Sequence, residues 1–157
     1  MLKNKFLLLG WVFLILSACD SGNFYEKYNE IPEMEWDMDN PVVFYPEIQD
    51  TLAAHSLYID LRFSTRYKMR NLFLFITTTA PSGISRTDTL EVILADERGR
   101  WYGKGWGDIY HLEVPYKKHI RFPVAGEYEL SITQGMREET LSFISDVGLR
   151  IEKEDLN

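Results

Sequence analysis

The sequence predicts an all-β domain, an antiparallel β-sandwich of immunoglobulin-like or jelly-roll-like type, which follows an N-terminal lipoprotein signal peptide. Three observations predict this fold class. Side-chain polarity alternates with a period of two in several short runs, turn-forming residues separate these runs, and helical periodicity is nearly absent. About eight or nine short strands at this spacing favour two packed antiparallel sheets.

The first element of the chain is the signal peptide. An apolar run over residues 6–16 follows two lysines; it is too short to span a bilayer and has the length of a signal-peptide core. Residues 16–19 read LSAC, the pattern at which bacterial lipoprotein precursors are cleaved and acylated. We therefore expect residues 1–18 to be removed and Cys19 to carry the lipid, palmitate included. The competing interpretation is an ordinary secretory signal followed by a stray cysteine.

Residues 19–33 are the next element, which we predict to be the lipidated N-terminus and a tether. The segment is polar with a few aromatic residues, and Pro32 lies near its end. An extended tether of about fourteen residues would span up to roughly 45 Å. The β-sandwich domain is then expected to occupy residues 34–157.

The predicted domain contains the alternating runs. Apolar side chains take every second position in the clearest of them, as a half-buried strand requires. These runs cover residues 34–38, 57–63, 128–132 and 147–151. Residues 72–76 are apolar on both sides, which predicts a central strand covered on both faces or a strand with an outer aromatic patch. Runs at 87–94 and 118–122 complete the set of strands, and residues 136–141 are the one plausible helix.

Composition excludes several classes of protein. Without its first 18 residues the 157-residue chain keeps 139, the usual size of one domain, and the loss of two lysines takes the formal net charge from −7 to −9. Such a surface repels phosphate backbones, so nucleic acid is not an expected partner. Cys19 is the only cysteine, which excludes disulfides, thiol nucleophiles and cysteine zinc sites in the domain.

Motifs for catalysis are not evident in the sequence. The three histidines, His55, His111 and His119, have no metal-ligand spacing, and no G-x-S-x-G nucleophile motif occurs. His111 and His119 could meet across a hairpin, where a surface pair is the simpler interpretation. We therefore expect no enzymatic activity.

A glycine-rich loop over residues 103–108 superficially resembles a phosphate-binding loop. The residues that follow it, 109–114, alternate like a strand, whereas a phosphate cradle needs a helix N-terminus at that point. The carboxylates of Asp96, Glu97 and Asp108 flank the loop and could cage calcium, but their spacing is not that of an EF-hand loop. We expect neither a cofactor nor a bound metal.

Five aromatic residues within sixteen positions form the candidate binding surface. They are Trp101, Tyr102, Trp106, Tyr110 and Tyr116. Together these rings could stack on sugars or grip another protein. In the alternative, Trp101 and Tyr110 belong to the core and only the others are exposed; the intervening glycines disturb the register, so both interpretations stay open.

Ordered sequence blocks carry a family resemblance across nearly the whole mature chain. They read NLFLFI (71–76), DTLE (88–91), LAD (94–96), GRW (99–101), GKG (103–105), GDIY (107–110), PYKK (115–118), RFP (121–123), QGMR (134–137) and DVGLR (146–150). With the cysteine at position 19, these blocks resemble the GldH gliding-motility lipoproteins of Bacteroidetes bacteria.

The resemblance implies a non-enzymatic cell-envelope lipoprotein, an accessory or scaffold component of gliding motility and its associated secretion machinery. It implies anchoring through Cys19 and a protein partner in the motility or secretion apparatus, and it transfers no catalytic residue. The segment after Cys19 lacks the dense acidic run associated with surface export in this phylum, which favours a periplasm-facing location. The alternative function is a carbohydrate-binding envelope lipoprotein that uses the aromatic residues between Trp101 and Tyr116.

Overall fold

Two antiparallel sheets pack face to face in the computed structural model, which describes residues 23–154. The larger sheet contains, in spatial order, β1 (Asn23–Glu30), β13 (Ile144–Lys153), β5 (His55–Ser64), β9 (Ile109–Ile120) and β8 (Lys104–Trp106). The smaller contains β3 (Val42–Phe44), β11 (Glu129–Gln134), β6 (Asn71–Thr79) and β7 (Ser85–Ile93). Two short pairs complete the fold: β2 (Glu35–Asp37) with β12 (Thr140–Ser142), and β4 (Glu47–Ile48) with β10 (Gly126–Glu127).

The predicted antiparallel β architecture is confirmed, and the alternating runs supply its core. Every second residue of β5 from Leu57 to Phe63 is at most 2% exposed, and β13 buries its alternate side chains in the same way. The facing side of β6 contributes Leu72, Leu74 and Ile76, each fully buried. Each such side chain contributes about 1.5–3 kcal/mol relative to an exposed position.

Strand β6 resolves one alternative left open by the sequence. Its outer face carries Phe75, which is 43% exposed, so the run 72–76 is a strand with an outer aromatic patch. The described residues contain thirteen strands, more than expected, because several consist of only two or three residues.

The segment predicted to be a tether differs in the structure from Asn23 onward. Residues Asn23–Glu30 form strand β1, which pairs antiparallel with β13 along its length. The chain then remains attached, because Ile31 is buried and its N–H donates to the carbonyl of Ser145 at 2.8 Å. The folded domain therefore begins before the expected boundary at residue 34. Residues 20–22 of the predicted tether, Cys19 and the signal peptide lie outside the described residues.

The predicted helix at 136–141 is wrong. The Gln134 side chain stabilises a bend there: its amide donates to the carbonyl of Glu138 at 2.8 Å and its oxygen accepts the N–H of Met136 at 2.8 Å. The chain then enters β12 at Thr140. Within residues 23–154, no helix is long and apolar enough to cross a membrane.

A close contact on the outer face of the larger sheet holds β1 at the edge of that sheet. Tyr28 lies opposite Gly148 in the register, and its ring covers the glycine so closely that an added Cβ would lie 2.7 Å from two ring carbons and 3.1 Å from Cβ of Asp60. Any larger residue at position 148 would push Tyr28 away from the sheet. Glycine at this position allows Tyr28 of the edge strand to pack closely on the outer face of β13.

We predict that Gly148→Ala lowers the free energy of unfolding by about 1–3 kcal/mol, because the new methyl group overpacks against the Tyr28 ring. Urea unfolding of the mature chain measures this loss. In a Tyr28→Ala background the same substitution should cost little or even stabilise, since alanine is favoured over glycine in a strand. If residues 23–30 did not pair with β13, Gly148→Ala would leave the free energy of unfolding unchanged in the wild-type background.

Candidate functional site

A groove of about 900 Å³ lies on the outer face of the larger sheet, where β1 ends and β8 pairs with β9. Apolar, basic and acidic side chains all contribute to its walls. The apolar residues are Ile31, Met34, Trp106 and Ile109; the basic and imidazole residues are Arg62, Lys104 and His111; the acidic residues are Glu30, Glu33 and Asp146. We call this feature the Trp106 groove.

The register of the larger sheet explains the charge distribution in the groove. One row of paired residues crosses all five strands in the order Glu30, Asp146, Arg62, His111 and Lys104. Neighbours in such a row lie about 4.5–5.5 Å apart at Cβ. The row therefore runs from acidic at the β1 edge to basic at the β8 edge.

Arg62 occupies the middle of this row. One guanidinium nitrogen lies 3.8 Å from a carboxylate oxygen of Asp146, and the guanidinium carbon lies 4.6 Å from the centroid of the Tyr28 ring. Stacking on an aromatic ring restricts the long arginine side chain. Arg62 is thus held in place yet keeps 43% of its side-chain surface exposed.

Trp106 forms the exposed wall of the groove. Strand β8 is a three-residue strand that turns back into β9 through Gly107, whose φ of +64° suits glycine. This turn pairs Trp106 with Ile109 at the outermost position of the sheet, where the tryptophan side chain is 93% exposed. A side chain of this size and exposure is a strong candidate for contact with another molecule.

The opposite wall contains strained backbone. Glu33 and Met34 have φ values of 56° and 57°, in the left-handed region that residues with a Cβ seldom adopt. Two hydrogen bonds maintain the turn: Met34 donates to the carbonyl of Ile31 at 3.0 Å and accepts from the N–H of Phe143 at 2.7 Å. Such strain costs about 1–3 kcal/mol per residue and tends to occur at functional sites.

A buried carboxylate lies beside the groove. Asp60 is 1% exposed on the outer face of β5, 3.3 Å from Nε2 of His111 and 3.7 Å from Nε of Arg150. Burial raises the pKa of Asp60, although the charges of Arg150 and His111 act in the opposite direction. Burial, followed by the charges of Asp60 and Glu26, also raises the pKa of Tyr28 to about 12.

Arg150 extends this network across the sheet. Its guanidinium contacts the carboxylates of Glu113 and Glu152 and lies 4.4 Å from the centroid of the Tyr58 ring. The outer face therefore has a paired set of charges beside the groove. Of this network, Asp60 contacts the groove residue His111 and orients its ring.

The five predicted aromatic residues do not form one surface. The rings of Trp101 and Tyr110 pack against the core residue Phe63 at centroid distances of 5.3 and 6.2 Å, as the second interpretation proposed. Tyr102 is 46% exposed outside the groove, and Trp106 alone of the five contributes to its walls.

Tyr116 lies toward the other end of β9, about 20 Å from Tyr110 at the rise of an extended strand. Its hydroxyl donates to Asp88 at 2.6 Å, and Nζ of Lys117 lies 2.6 Å from the same carboxylate oxygen. This tyrosine connects the edges of the two sheets and is separated from the Trp106 groove.

The histidines and the loop carboxylates are also separated by the fold. His111 and His119 do not meet across a hairpin, because both lie on β9; His119 pairs with Glu154 at 2.5 Å. The carboxylate of Asp96 accepts the N–H groups of Arg98 and Arg100, each at 2.9 Å, as part of its own turn. In the part of the chain that the structure describes, no group of three or more histidine, cysteine, aspartate or glutamate residues could hold a metal ion.

Sequence reasoning missed most of the groove. Arg62 and Lys104 are unremarkable in their own segments, and the strain at Glu33 and Met34 has no sequence signal. The aromatic density around Trp106 is the one local signal that pointed to this part of the surface.

An all-β sandwich with a surface groove, preceded by a lipoprotein signal, defines a membrane-anchored lipoprotein of the cell envelope. The profile of the GldH lipoprotein family matches residues 23–151. The chain is 34% identical to the gliding motility lipoprotein GldH of Flavobacterium johnsoniae, over 98% of this chain and 99% of the relative. It is also 34% identical, with the same coverage, to the gliding motility lipoprotein GldH homolog of Christiangramia forsetii. The chain therefore belongs to the GldH family of gliding-motility lipoproteins.

The contact between Tyr116 and Asp88 predicts a pH-dependent contribution to stability. The hydrogen bond from Lys117 is the main cause that lowers the pKa of Asp88, and the hydrogen bond from Tyr116 is the second. A carboxylate with a lowered pKa stabilises the folded state above its unfolded pKa, and this stabilisation is lost as the pH falls through the folded value. The free energy of unfolding of wild type should therefore exceed that of Asp88→Asn most near pH 7, and the difference should shrink below about pH 4.

Urea unfolding at a series of pH values measures this difference. The same pair, with and without Asp88→Asn, can be compared in a protein that already carries Lys117→Met and Tyr116→Phe. In that background the difference in free energy of unfolding should no longer vary with pH. A difference that stays constant between neutral and acidic pH in the wild-type background would refute the assignment.

Proposed function

We propose that this lipoprotein is a non-enzymatic accessory component of gliding motility and its associated protein secretion machinery, and that it docks an envelope protein in the Trp106 groove. The observation that carries the proposal is a tryptophan 93% exposed at the wall of a groove of about 900 Å³. Tryptophan and arginine residues dominate binding energy when a partner covers them. Both relatives have names that refer to gliding motility, which supports this setting.

The charge row, which is the row of paired residues from Glu30 to Lys104 across the larger sheet, supports a protein partner whose charges have the opposite order. An occupying segment would meet Glu30 and Asp146 at one side and Lys104 at the other, and Trp106 and Ile109 would add apolar contact on the side of Lys104. Charged groups arranged in this way select the orientation of a partner more than they add affinity. Arg62 is already held by Asp146 and the Tyr28 ring, so this side chain requires little ordering on binding, which favours affinity.

The pairing of titratable groups supports a binding role over a catalytic one. His111 is engaged with the buried carboxylate of Asp60, and Arg62 with Asp146 and the Tyr28 ring. These contacts stabilise the shape of the surface. They do not present a proton donor and a proton acceptor to one bound atom, as acid–base catalysis requires.

Attachment to the membrane is the second part of the proposal. Cys19 receives the acyl chains, and several chains on one residue are needed because a single chain anchors a protein only marginally. The short segment after Cys19 lacks a dense acidic run, which supports a periplasm-facing domain. In this arrangement the lipid holds the domain at the envelope and the groove holds the partner.

Glycan binding is the alternative, and the exposure of Trp106 favours it as well. A sugar platform usually stacks its ligand on exposed rings, and of the five aromatic candidates only Trp106 contributes to the groove. Retention of the protein on an insoluble envelope polysaccharide, lost in Trp106→Ala, would favour this alternative over a protein partner.

We predict that the wild-type protein incorporates a palmitate analogue in growing cells and that Cys19→Ala does not. The reason is that the domain contains no other cysteine that could be acylated. Gel detection of the labelled lipid followed by mass spectrometry of the N-terminal peptide checks this outcome. Ser21→Ala is the matched control and should be labelled normally. Label on the Cys19→Ala variant would disprove the attachment site.

We predict that Trp106→Ala reduces capture of the envelope partner at least tenfold, since an aromatic hot spot is worth about 2 kcal/mol or more. Crosslinking in intact cells followed by identification of the attached proteins provides the measurement. Because the side chain is 93% exposed, the variant should keep the thermal stability of wild type.

Tyr102→Ala is the matched control for this experiment. It also removes an exposed aromatic side chain, only four positions away but outside the groove, and should leave capture unchanged. Equal capture by wild type and Trp106→Ala would count against the groove as the docking site.

A further inference from the structure

The described chain begins at one end of the sandwich, and large exposed apolar side chains distinguish the surface of this end. Strand β1 starts at Asn23, four residues after Cys19, a separation of at most about 14 Å in an extended chain. In the larger sheet the start of β1 lies beside the end of β13, the start of β5 and the end of β9. We call this region, with loops 49–54, 80–84 and 121–128, the anchor end.

Contacts between the loops define the anchor end as one surface. A Cβ added at Gly126 would lie 2.9 Å from a ring carbon of Pro81, so loops 80–84 and 121–128 touch. Lys153, at the end of β13, pairs with Asp50 at 2.8 Å and fixes loop 49–54 beside them.

Large apolar side chains project from this surface. Leu52 is 80% exposed, Ile84 66%, Phe24 41% and Val124 40%, and they come from the three loops and the start of β1. Apolar side chains at the tips of several adjacent loops are typical of a surface that contacts another apolar phase. The surrounding protein gives none of the four a buried position.

The apolar surface continues into the molecule. A cavity of about 540 Å³ opens between the sheets at this end, and Ile84, Ile120, Phe122 and Val124 contribute to its lining. A series of ring contacts connects β1 to two residues of its lining, Phe122 and Tyr128: Phe24 with His55 at 5.8 Å, His55 with Phe122 at 5.3 Å, and Phe122 with Tyr128 at 4.9 Å. The first ring in the series belongs to the residue five positions after Cys19.

Charge distinguishes the two sides of the anchor end. Arg86 and Arg121 are exposed and line the same cavity as Ile84 and Val124, Lys118 is exposed near the end of β9, and Lys117 is already paired with Asp88. The exposed acidic residues of β4, β10 and the start of β11 at this end are Glu47, Glu127 and Glu129, and the exposed Asp50 of loop 49–54 is paired with Lys153. Phosphate headgroups would therefore meet cations on the side that carries Ile84 and Val124.

We propose that the anchor end lies on a phospholipid bilayer, with Ile84 and Val124 in the headgroup and acyl boundary and the basic residues at the phosphates. The inference rests on the proposed acylation of Cys19, which brings this end to the membrane. The net negative charge of the chain opposes recruitment to anionic lipids, so the contact orients an already anchored domain. The Trp106 groove is then presented about 30 Å from the lipid, the length of the ten-residue strand β5.

Single-cysteine fluorescence in the full acylated protein tests this orientation. Acylation consumes the thiol of Cys19, so Ile84→Cys, Val124→Cys and Trp106→Cys can each be labelled at one position with a polarity-sensitive dye. The proteins are reconstituted in vesicles of phosphatidylethanolamine and phosphatidylglycerol. We expect the emission at positions 84 and 124 to shift to shorter wavelength and to be quenched several-fold more by spin-labelled lipid than the emission at position 106.

Vesicle flotation distinguishes the two ways in which the idea could fail. Protein that floats with the vesicles but shows equal quenching at all three positions overturns the orientation and leaves the anchor intact. Protein that does not float overturns the acylation and the orientation together. A shorter emission wavelength at positions 84 and 124 without quenching by the spin-labelled lipid overturns the lipid contact in favour of contact with another protein or a second copy.

Discussion

The structure depends on the burial of one apolar face from each sheet, because the domain has no covalent crosslink to supplement it. Cys19 is the only cysteine, and it precedes the residues that the structure describes. The core is instead built from alternate side chains of the long strands, most of them with no exposed surface. A single leucine-to-alanine change in such a core costs about 2–5 kcal/mol, a large part of the 5–15 kcal/mol by which domains are stable. Substitutions at the surface are therefore compatible with folding only where they leave this core packing intact.

The sequence predicted the core strands well because alternation is a local property. The apolar positions of β5 and β13 are visible in any window of seven residues, and the structure buries all of them. Strand β1 escaped prediction because it is an edge strand, whose charged and polar side chains stay exposed and whose pairing with β13 is a long-range property. The bend at 136–141 was mistaken for a helix because the hydrogen bonds of the Gln134 side chain leave no trace in residue periodicity.

The Trp106 groove was less predictable than the fold, for a physical reason. Its charge row combines residues from five strands, and a slip of one residue in any pairing would move a member to the opposite face. The register between β5 and β9 shifts at bulges, which no single sequence reveals. Aromatic density identified the segment that contains Trp106, but the partners of that tryptophan could be known only from the fold. Family membership supplied the envelope setting.

The pairing of β1 with β13 has a mechanical consequence. The proposed acylation site lies four residues before the first residue of β1, and the groove lies at the far end of the sandwich, so tension between a membrane and a bound partner would act along the strand direction. Tension in that direction shears the hydrogen bonds of the β1–β13 ladder, which then share the load and do not open one after another. A free tether would pass no such load through the sheet. This geometry makes the first strand of the domain a coupling that resists being pulled loose.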